Sequence, residues 1–269
     1  MHIDAEVHFW KIDKGSSNLF IKNNKLLNQH YLPEQITQTL HRNAMDGCIA
    51  VVTDNAEVET RFLSELALTH PEIKGVIGWL DLYDSKAGEK IKDFQEYTPL
   101  RGYRIETDGK KAPGDMVMQM LQDSGYSVDL TLRHDTDIIA LSKWISGYPE
   151  QQFILQNSGY PERMQSPSPE WEKHIRELAK NKNLSCKVSG LLTGSNPKSW
   201  KPADFYPFLN ILFDSFNIER LLFASDWPFL LLAGMYVQWK SLLEKFTENF
   251  IPEERDKFFG ENAQRIYRL

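Results

Sequence analysis

The chain has 269 residues, 41% of them hydrophobic, which is enough for one large core. A net charge of −6 with scattered lysines and arginines excludes a basic nucleic-acid footprint, and the absence of any long apolar run argues against a membrane span. Two cysteines, Cys48 and Cys186, are too few for a disulfide framework or a cysteine-based zinc site; they point to a reducing, cytoplasmic setting, and no signal peptide is read at the N-terminus.

In chain order, short β-branched runs alternate with longer segments of helical periodicity, the pattern of repeated βα units on a parallel sheet. The predicted strands are "HIDAEVHF", "GCIAVVT", "KGVIGWLDL", "LRGYRIE", "YSVDLTLR", "QFILQNSG", "LSCKVSGL" and "RLLFASD". The predicted helices are "LPEQITQTLHRNA", "AEVETRFLSELALTH", "GDMVMQMLQDS", "TDIIALSKWISGY", "PSPEWEKHIRELAKN", "PADFYPFLNILFDSF" and "MYVQWKSLLEKF". Eight strands with intervening helices predict one α/β domain over 1–269, a (β/α)8 TIM barrel. The stretches at about residues 11–31 and 191–201 follow strands one and seven and are read as βα loops.

A barrel of this kind gathers the C-terminal ends of its strands around one mouth. The polar residues there are Glu6 and His8, Asp81, Arg104 and Glu106, Arg133 and His134, Gln156 and Asn157, and Asp226. Strict alternation along strand one places Asp4, Glu6 and His8 on one wall, which on an isolated surface strand would merely be solvated. An aspartate after a strand has an equally plain alternative as the N-cap of the next helix. Arg104 has the fork to hold a substrate carboxylate or polyol, or to pair structurally with Glu106 or Asp81. Trp10 and Trp79 are read as apolar walls for a sugar ring, or as core. Lys187 shares a face with Ser189 and needs a carboxylate inside the barrel, so a structural ion pair is favoured over a catalytic amine. His2, His41, His70 and His174 are read as peripheral.

The stretches "IDAEVHFW", "ETRFLSELALTHPEIKGVIGWLDL", "LRGYR", "LSCKVSGLLT", "LLFASDWPF" and "FFGENAQRIYRL" resemble, in order and almost end to end, motifs of the amidohydrolase superfamily. The similarity is to its branch of sugar-acid lactonases and 2-pyrone-4,6-dicarboxylate lactonase. It implies a barrel of the metal-dependent-hydrolase type, hydrolysis of a small cyclic ester, and Asp226 of "SDWP" as the acid at the end of strand eight. Three family imidazoles are replaced: the His-x-His of strand one by Glu6 and His8, the strand-six histidine by Asn157, and a strand-four histidine by Ile105. His134 matches a strand-five histidine, with its spacing to Asp129 one residue off.

On this resemblance the candidate metal ligands are Glu6, His8 and Asp226, holding one divalent ion, zinc or manganese, weakly; part of the branch works without metal. In the metal-independent mode Asp226 is the general base, and His8 and His134 complete the catalytic set. Arg104, Asn157, Glu106, Trp10 and Trp79 are the candidate substrate contacts. The reading is a lactone hydrolase acting on a small molecule, with no nucleic-acid or membrane partner and with a homo-oligomer left open. The alternatives are a degenerate barrel that binds a metabolite or partner, favoured by the missing histidines, and, less well supported, a decarboxylase.

Overall fold

Runs such as Gly47–Val51 and Leu184–Val188 are buried along their whole length, as strands covered on both faces must be. In the computed structural model, which describes residues 1–12, 18–161 and 166–269, eight such runs form one sheet. They are β1 (Ile3–Val7), β2 (Gly47–Val51), β3 (Ile73–Gly78), β4 (Leu100–Thr107), β5 (Ser127–Leu132), β6 (Phe153–Leu155), β7 (Leu184–Val188) and β8 (Leu221–Phe223). Neighbours in space are neighbours in sequence, and every pair is parallel. The two ends of the sheet meet just past β8: Val7 bridges Trp227, the Asp226 N–H donates to the Glu6 carbonyl (3.0 Å), and the His8 N–H donates to the Trp227 carbonyl (2.7 Å). The predicted (β/α)8 barrel is the observed architecture, and those closing bonds set Asp226 beside Glu6 and His8.

The helices are α1 (Leu19–Asn23), α2 (Thr37–Arg42), α3 (Glu57–Thr69), α4 (Ala87–Phe94), α5 (Asp115–Asp123), α6 (Ile138–Ser146), α7 (Pro169–Leu178), α8 (Tyr206–Phe216), α9 (Tyr236–Phe246), α10 (Pro252–Asp256) and α11 (Asn262–Tyr267). Sequence patterning does not foresee α4, whose apolar face is carried only by Ala87, Ile91 and Phe94 among charged neighbours. It also treats 11–31 as loop, where α1 supplies one short turn; residues 13–17 of that loop lie outside the described residues. No helix among the described residues is long and apolar enough to cross a membrane.

Two apolar layers result. Ile49, Val51, Ile77, Ile154, Leu222 and Ala224 pack inside the barrel with Ala263, Ile266 and Tyr267 of α11, so the C-terminal helix plugs the floor. Alternate residues such as Val7, Cys48, Tyr103, Val128 and Cys186 pack in the outer layer shared with the helices. The barrel interior is therefore filled from below by the C-terminal helix.

Strand β1 departs from strict alternation. Asp4 pairs with Cys48 while Val7 pairs with Ala50, so three steps on β1 oppose two on β2, which is a β-bulge. Ile3 and Ala5 face the inner cluster, yet Glu6 and His8 line the mouth. The expectation that Asp4 shares their wall is thus corrected. Its carboxylate accepts from the backbone N–H of Ser225 (2.9 Å) and of Glu6 (3.1 Å) and lies within electrostatic reach of Tyr236 on α9. Burial pushes its pKa up to about 7.

Candidate active site

The bulge delivers Glu6 and His8 into a small cavity of about 160 Å³ at the mouth. Its lining adds Arg104 from β4, Gln156 and Asn157 after β6, Thr193 after β7, and Asp226 and Phe229 after β8. The polar members come from the C-terminal end of a strand or the loop beyond it, where the fold concentrates chemistry, except Arg104, which reaches the cavity from the middle of β4.

His8 is the pivot. Its Nδ1 lies 2.8 Å from the carbonyl of Val51, and a carbonyl can only accept, so Nδ1 carries the proton and Nε2 presents a lone pair. That lone pair faces Oδ1 of Asp226 at 3.4 Å and Oε1 of Glu6 at 4.0 Å. Oε1 of Glu6 is buried without a hydrogen-bond partner, while its Oε2 takes the Ser189 hydroxyl at 2.6 Å. Oδ2 of Asp226 takes the Thr193 hydroxyl at 3.0 Å, which leaves Oδ1 aimed at His8.

Three lone pairs thus meet with no donor between them, and only a cation or an added proton resolves that convergence. Electrostatics agrees with the geometry. Burial raises the pKa of Glu6, opposed by the charge of Lys187 and reinforced by that of Asp226. Burial pushes Asp226 up to about 7 against the Thr193 hydrogen bond and the Lys187 charge. It holds His8 down at about 4, so the imidazole is neutral at neutral pH.

The donor set fits one divalent ion. A tetrahedral ion with ligands about 2 Å away places them about 3.3 Å apart, and the ligand atoms of Glu6, His8 and Asp226 all lie within 4.8 Å of one another. His8 is already in the tautomer that ligation through Nε2 requires, held by a backbone carbonyl in the way outer-shell partners hold metal-binding histidines.

Arg104 reaches the same cavity from the opposite side. Its Nη2 donates to the Thr53 carbonyl (3.0 Å) and the Asn55 side chain (3.4 Å), while its Nε has no partner. It pairs with neither Glu106 nor Asp81, the structural partners its sequence position suggested. Glu59 braces the same loop by accepting from the Thr53 and Asp54 N–H groups at 2.8 and 2.7 Å.

Six of the residues read from the sequence as mouth or wall lie elsewhere. His134 falls beyond the end of β5 with its side chain 94% exposed, near Asp135. Glu106 is solvent-exposed. Trp10 stands behind the wall, its ring 5.5 Å from that of Phe229 and its N–H donated to the Gln29 carbonyl, so it buttresses the cavity without lining it. Trp79 packs against the outer core. Asp81 and Arg133 are exposed too; Asp81 closes a turn onto the Tyr83 N–H and Arg133 pairs with Asp135.

Thr53, Thr193, Phe229, Ser189 and Tyr160 are the site residues that sequence reasoning missed. Ser189 was legible as the next inward position after Lys187. The other four sit on loops whose course no periodicity encodes. Tyr160 ends a run in which Asn157, Ser158, Gly159 and Tyr160 all have positive φ, from 47° to 69°. Left-handed backbone at a non-glycine residue costs about 1–3 kcal/mol and persists only where the surroundings impose it. Here Trp171 donates to the Ser158 carbonyl (3.0 Å) and Ser158 donates to the Ser189 carbonyl (2.8 Å).

The amidohydrolase family model (Amidohydro_2) matches residues 3–269, almost the whole chain. The chain belongs to the amidohydrolase family. This amidohydrolase is 28% identical over 287 residues to an L-fucono-1,5-lactonase of Burkholderia multivorans, covering 100% of this chain and 96% of the relative. A crystal structure of a Burkholderia multivorans amidohydrolase with bound zinc superposes at a TM-score of 0.90 with 28% identity, over 100% of this chain and 99% of that one. A probable 2-pyrone-4,6-dicarboxylic acid hydrolase of Acinetobacter baumannii, crystallised with citric acid, shares the fold at a TM-score of 0.73 and 12% identity, over 100% and 99% of the two chains. The chain is therefore a hydrolase of a family whose members include a zinc-bound relative, and its Glu6–His8–Asp226 cluster has the donor chemistry for such an ion.

Proposed function

We propose that this amidohydrolase opens the ring of an uncharged sugar-acid lactone, with Asp226 as the residue that takes the proton of the attacking water. The observation that carries this reading is the charge of the cavity. Its lining holds two carboxyl groups and one permanent cation, Arg104, whose fork is already half spent on Thr53 and Asn55. A dicarboxylate needs two such forks to offset its charge beside Glu6 and Asp226, whereas the hydroxyls of a sugar lactone need only acceptors and a few donors.

The chemistry follows from the placement. Asp226, held by Thr193, has a pKa near the operating pH, which suits a general base. It accepts a proton as water adds to the ester carbonyl and returns it to the ring oxygen as the C–O bond breaks. Neutral His8 cannot compete for that proton at neutral pH. An ion held by Glu6, His8 and Asp226 would supply Lewis-acid assistance to the ester. Two carboxylates and one imidazole bind zinc less selectively than a histidine-rich set, so we expect manganese to be accepted and chelator to strip the ion.

The test is a proton-release assay over a lactone panel that includes L-fucono-1,5-lactone and 2-pyrone-4,6-dicarboxylate, run on chelator-treated and on zinc- or manganese-supplemented protein. The expected result is a kcat/KM at least about 100-fold higher for the neutral aldonolactones, the size of effect that an unpaired buried charge imposes. Preference for the dicarboxylate, or no lactone opened, rejects the reading.

A further inference from the structure

The loop after β6 reaches Glu6 through a chain of three short contacts. Ser189 Oγ lies 2.6 Å from Glu6 Oε2, the Asn157 amide lies 2.8 Å from Ser189 Oγ, and the Tyr160 oxygen lies 2.9 Å from that amide. Proton counting fixes the direction of the chain. A ligating carboxylate only accepts, so the single Ser189 proton goes to Glu6, and the Ser189 oxygen takes an N–H from Asn157. That turns the Asn157 carbonyl oxygen outward, where it accepts the Tyr160 hydroxyl. The chain therefore runs one way, from Tyr160 to Asn157 to Ser189 to Glu6, and spends both hydroxyl protons within itself. The strained segment grips it: Ser158 donates to the Ser189 carbonyl at 2.8 Å. Gly190, at φ +75°, permits the approach of Asn157, since a Cβ there would stand 2.9 Å from that of Asn157. Ser189 and Glu6 are both fully buried, so water does not stand in for the link between them.

We propose that Ser189 is a positioning residue for the metal-binding carboxylate: it ties up Oε2 of Glu6 so that only Oε1 is offered to an ion, and Asn157 and Tyr160 keep its proton pointed there. This rests on the ion-binding part of the lactonase reading and deepens it by naming what sets the choice of ion. Oε1 of Glu6 is the oxygen without a hydrogen-bond partner, and it stands 4.0 Å from His8 Nε2. One oxygen from Glu6, one nitrogen from His8 and one oxygen from Asp226 make three protein ligands and leave a position open, the count that a catalytic zinc site uses. With Oε2 released, Glu6 could chelate through both oxygens. That suits manganese, which takes six oxygen-rich ligands, and gives tetrahedral zinc nothing. The serine thus offsets part of the poor zinc selectivity of a donor set with two carboxylates.

Ser189→Ala removes the hydroxyl and frees Oε2. Chelator-treated protein is titrated with zinc and with manganese in competition with a chromogenic chelator. We expect zinc affinity to fall about 30-fold and manganese affinity less than about threefold, the zinc loss being of the size that follows removal of an outer-shell partner. The ratio of the two affinities is the reading that a general loosening of the mouth does not move. Tyr160→Phe, at a residue 42% exposed, removes only the last donor of the chain and should weaken zinc about fivefold, again with manganese affected less. Zinc affinity within about threefold of the parent in Ser189→Ala overturns the proposal. So do equal losses of both ions, which assign Ser189 a structural role. Tyr160→Phe with the zinc affinity of the parent overturns the relay, and it decides alone should Ser189→Ala fail to fold. If the parent protein binds neither ion, the ion-binding reading itself fails and takes this inference with it; a zinc-binding parent beside unaffected variants removes the inference alone.

Discussion

Two ionisable clusters lie buried in the same barrel, separated along β7 by the step from Lys187 to Ser189, and the fold treats them in opposite ways. At the floor, Oδ2 of Asp129 receives Lys187 Nζ at 2.8 Å and the Tyr267 hydroxyl at 2.9 Å, while Oδ1 receives Ser127 at 2.9 Å. Lys187 and Asp129 are both fully buried, and both carboxylate oxygens are satisfied. At the mouth, Glu6 keeps one oxygen without a partner, and His8 presents its lone pair to two carboxyl groups. The same barrel that neutralises one acid completely leaves the others short of donors. Stability alone selects the first arrangement; the second persists where something from outside supplies the missing charge.

Breaking the satisfied cluster should cost the most. Lys187→Met strands the Asp129 charge in the apolar floor, and we expect about 3–5 kcal/mol to be lost in denaturant unfolding. Adding Asp129→Asn should recover most of that loss, because the penalty lies in the unpaired charge. A loss below about 1 kcal/mol for the single variant would mean that water reaches Asp129 and the floor is not sealed.

Removing a carboxylate from the unsatisfied cluster should instead cost turnover. Asp226→Asn keeps the shape and the Thr193 contact but cannot accept a proton, and we expect kcat to drop about 100-fold or more while the protein stays folded. His8→Asn then reads the metal: a comparable loss indicates an ion shared by both residues, and a much smaller one indicates base catalysis without it. Near-full activity in Asp226→Asn rejects the mechanism and leaves Asp226 as a cap on the "WPFLLLAG" segment.

The same substitution sharpens the comparison through pH. In chelator-treated protein the Asp226 pKa is raised from 3.8 to about 7 by burial, so between those values the folded state binds more protons than the unfolded one. Its contribution to stability is present at low pH and is lost as pH rises toward 7. Asp226→Asn has no charge to bury. It should therefore match the parent below about pH 4 and exceed it by about 2 kcal/mol at pH 8, a figure reduced from the full shift because water enters the open cavity. Zinc should narrow that gap by stabilising the parent alone. Equal stability at both pH values would show that Asp226 is already compensated within the protein.

The sequence carried the barrel because each strand is an apolar run separated from the next by helical periodicity, and both patterns survive without tertiary context. It carried Glu6, His8, Arg104, Asn157 and Asp226 to one mouth because strand ends converge in this fold, and Lys187 to a carboxylate because a buried ammonium must have one. What it missed depends on one-residue events. The β1 bulge changes which side Asp4 faces without changing a letter of "IDAEVHFW". The left-handed run that turns Tyr160 inward reads in sequence only as "NSGY". The helix α4 hides because three apolar residues among charges give a weak period.

His134 shows the same limit at the smallest scale and gives the smallest expected effect. Resemblance assigned it to a histidine at the end of strand five, on a spacing one residue out of phase. β5 ends at Leu132, and the chain turns immediately: the Arg133 N–H donates to the Thr136 hydroxyl (2.9 Å), which in turn donates to the Thr107 carbonyl (2.8 Å). That turn is pinned, and it leaves the imidazole 94% exposed with Asp135 4.0 Å away. An exposed pair of this kind contributes little to stability, and no proton relay to the cavity can start from a side chain standing in water. His134→Ala should therefore change kcat/KM by less than about twofold, within the range of ordinary surface substitutions, and leave metal content and unfolding midpoint as they were. A tenfold loss would show that the 133–137 turn folds over the mouth when substrate binds, and would move His134 from the exposed rim into the site that Glu6, His8 and Asp226 define.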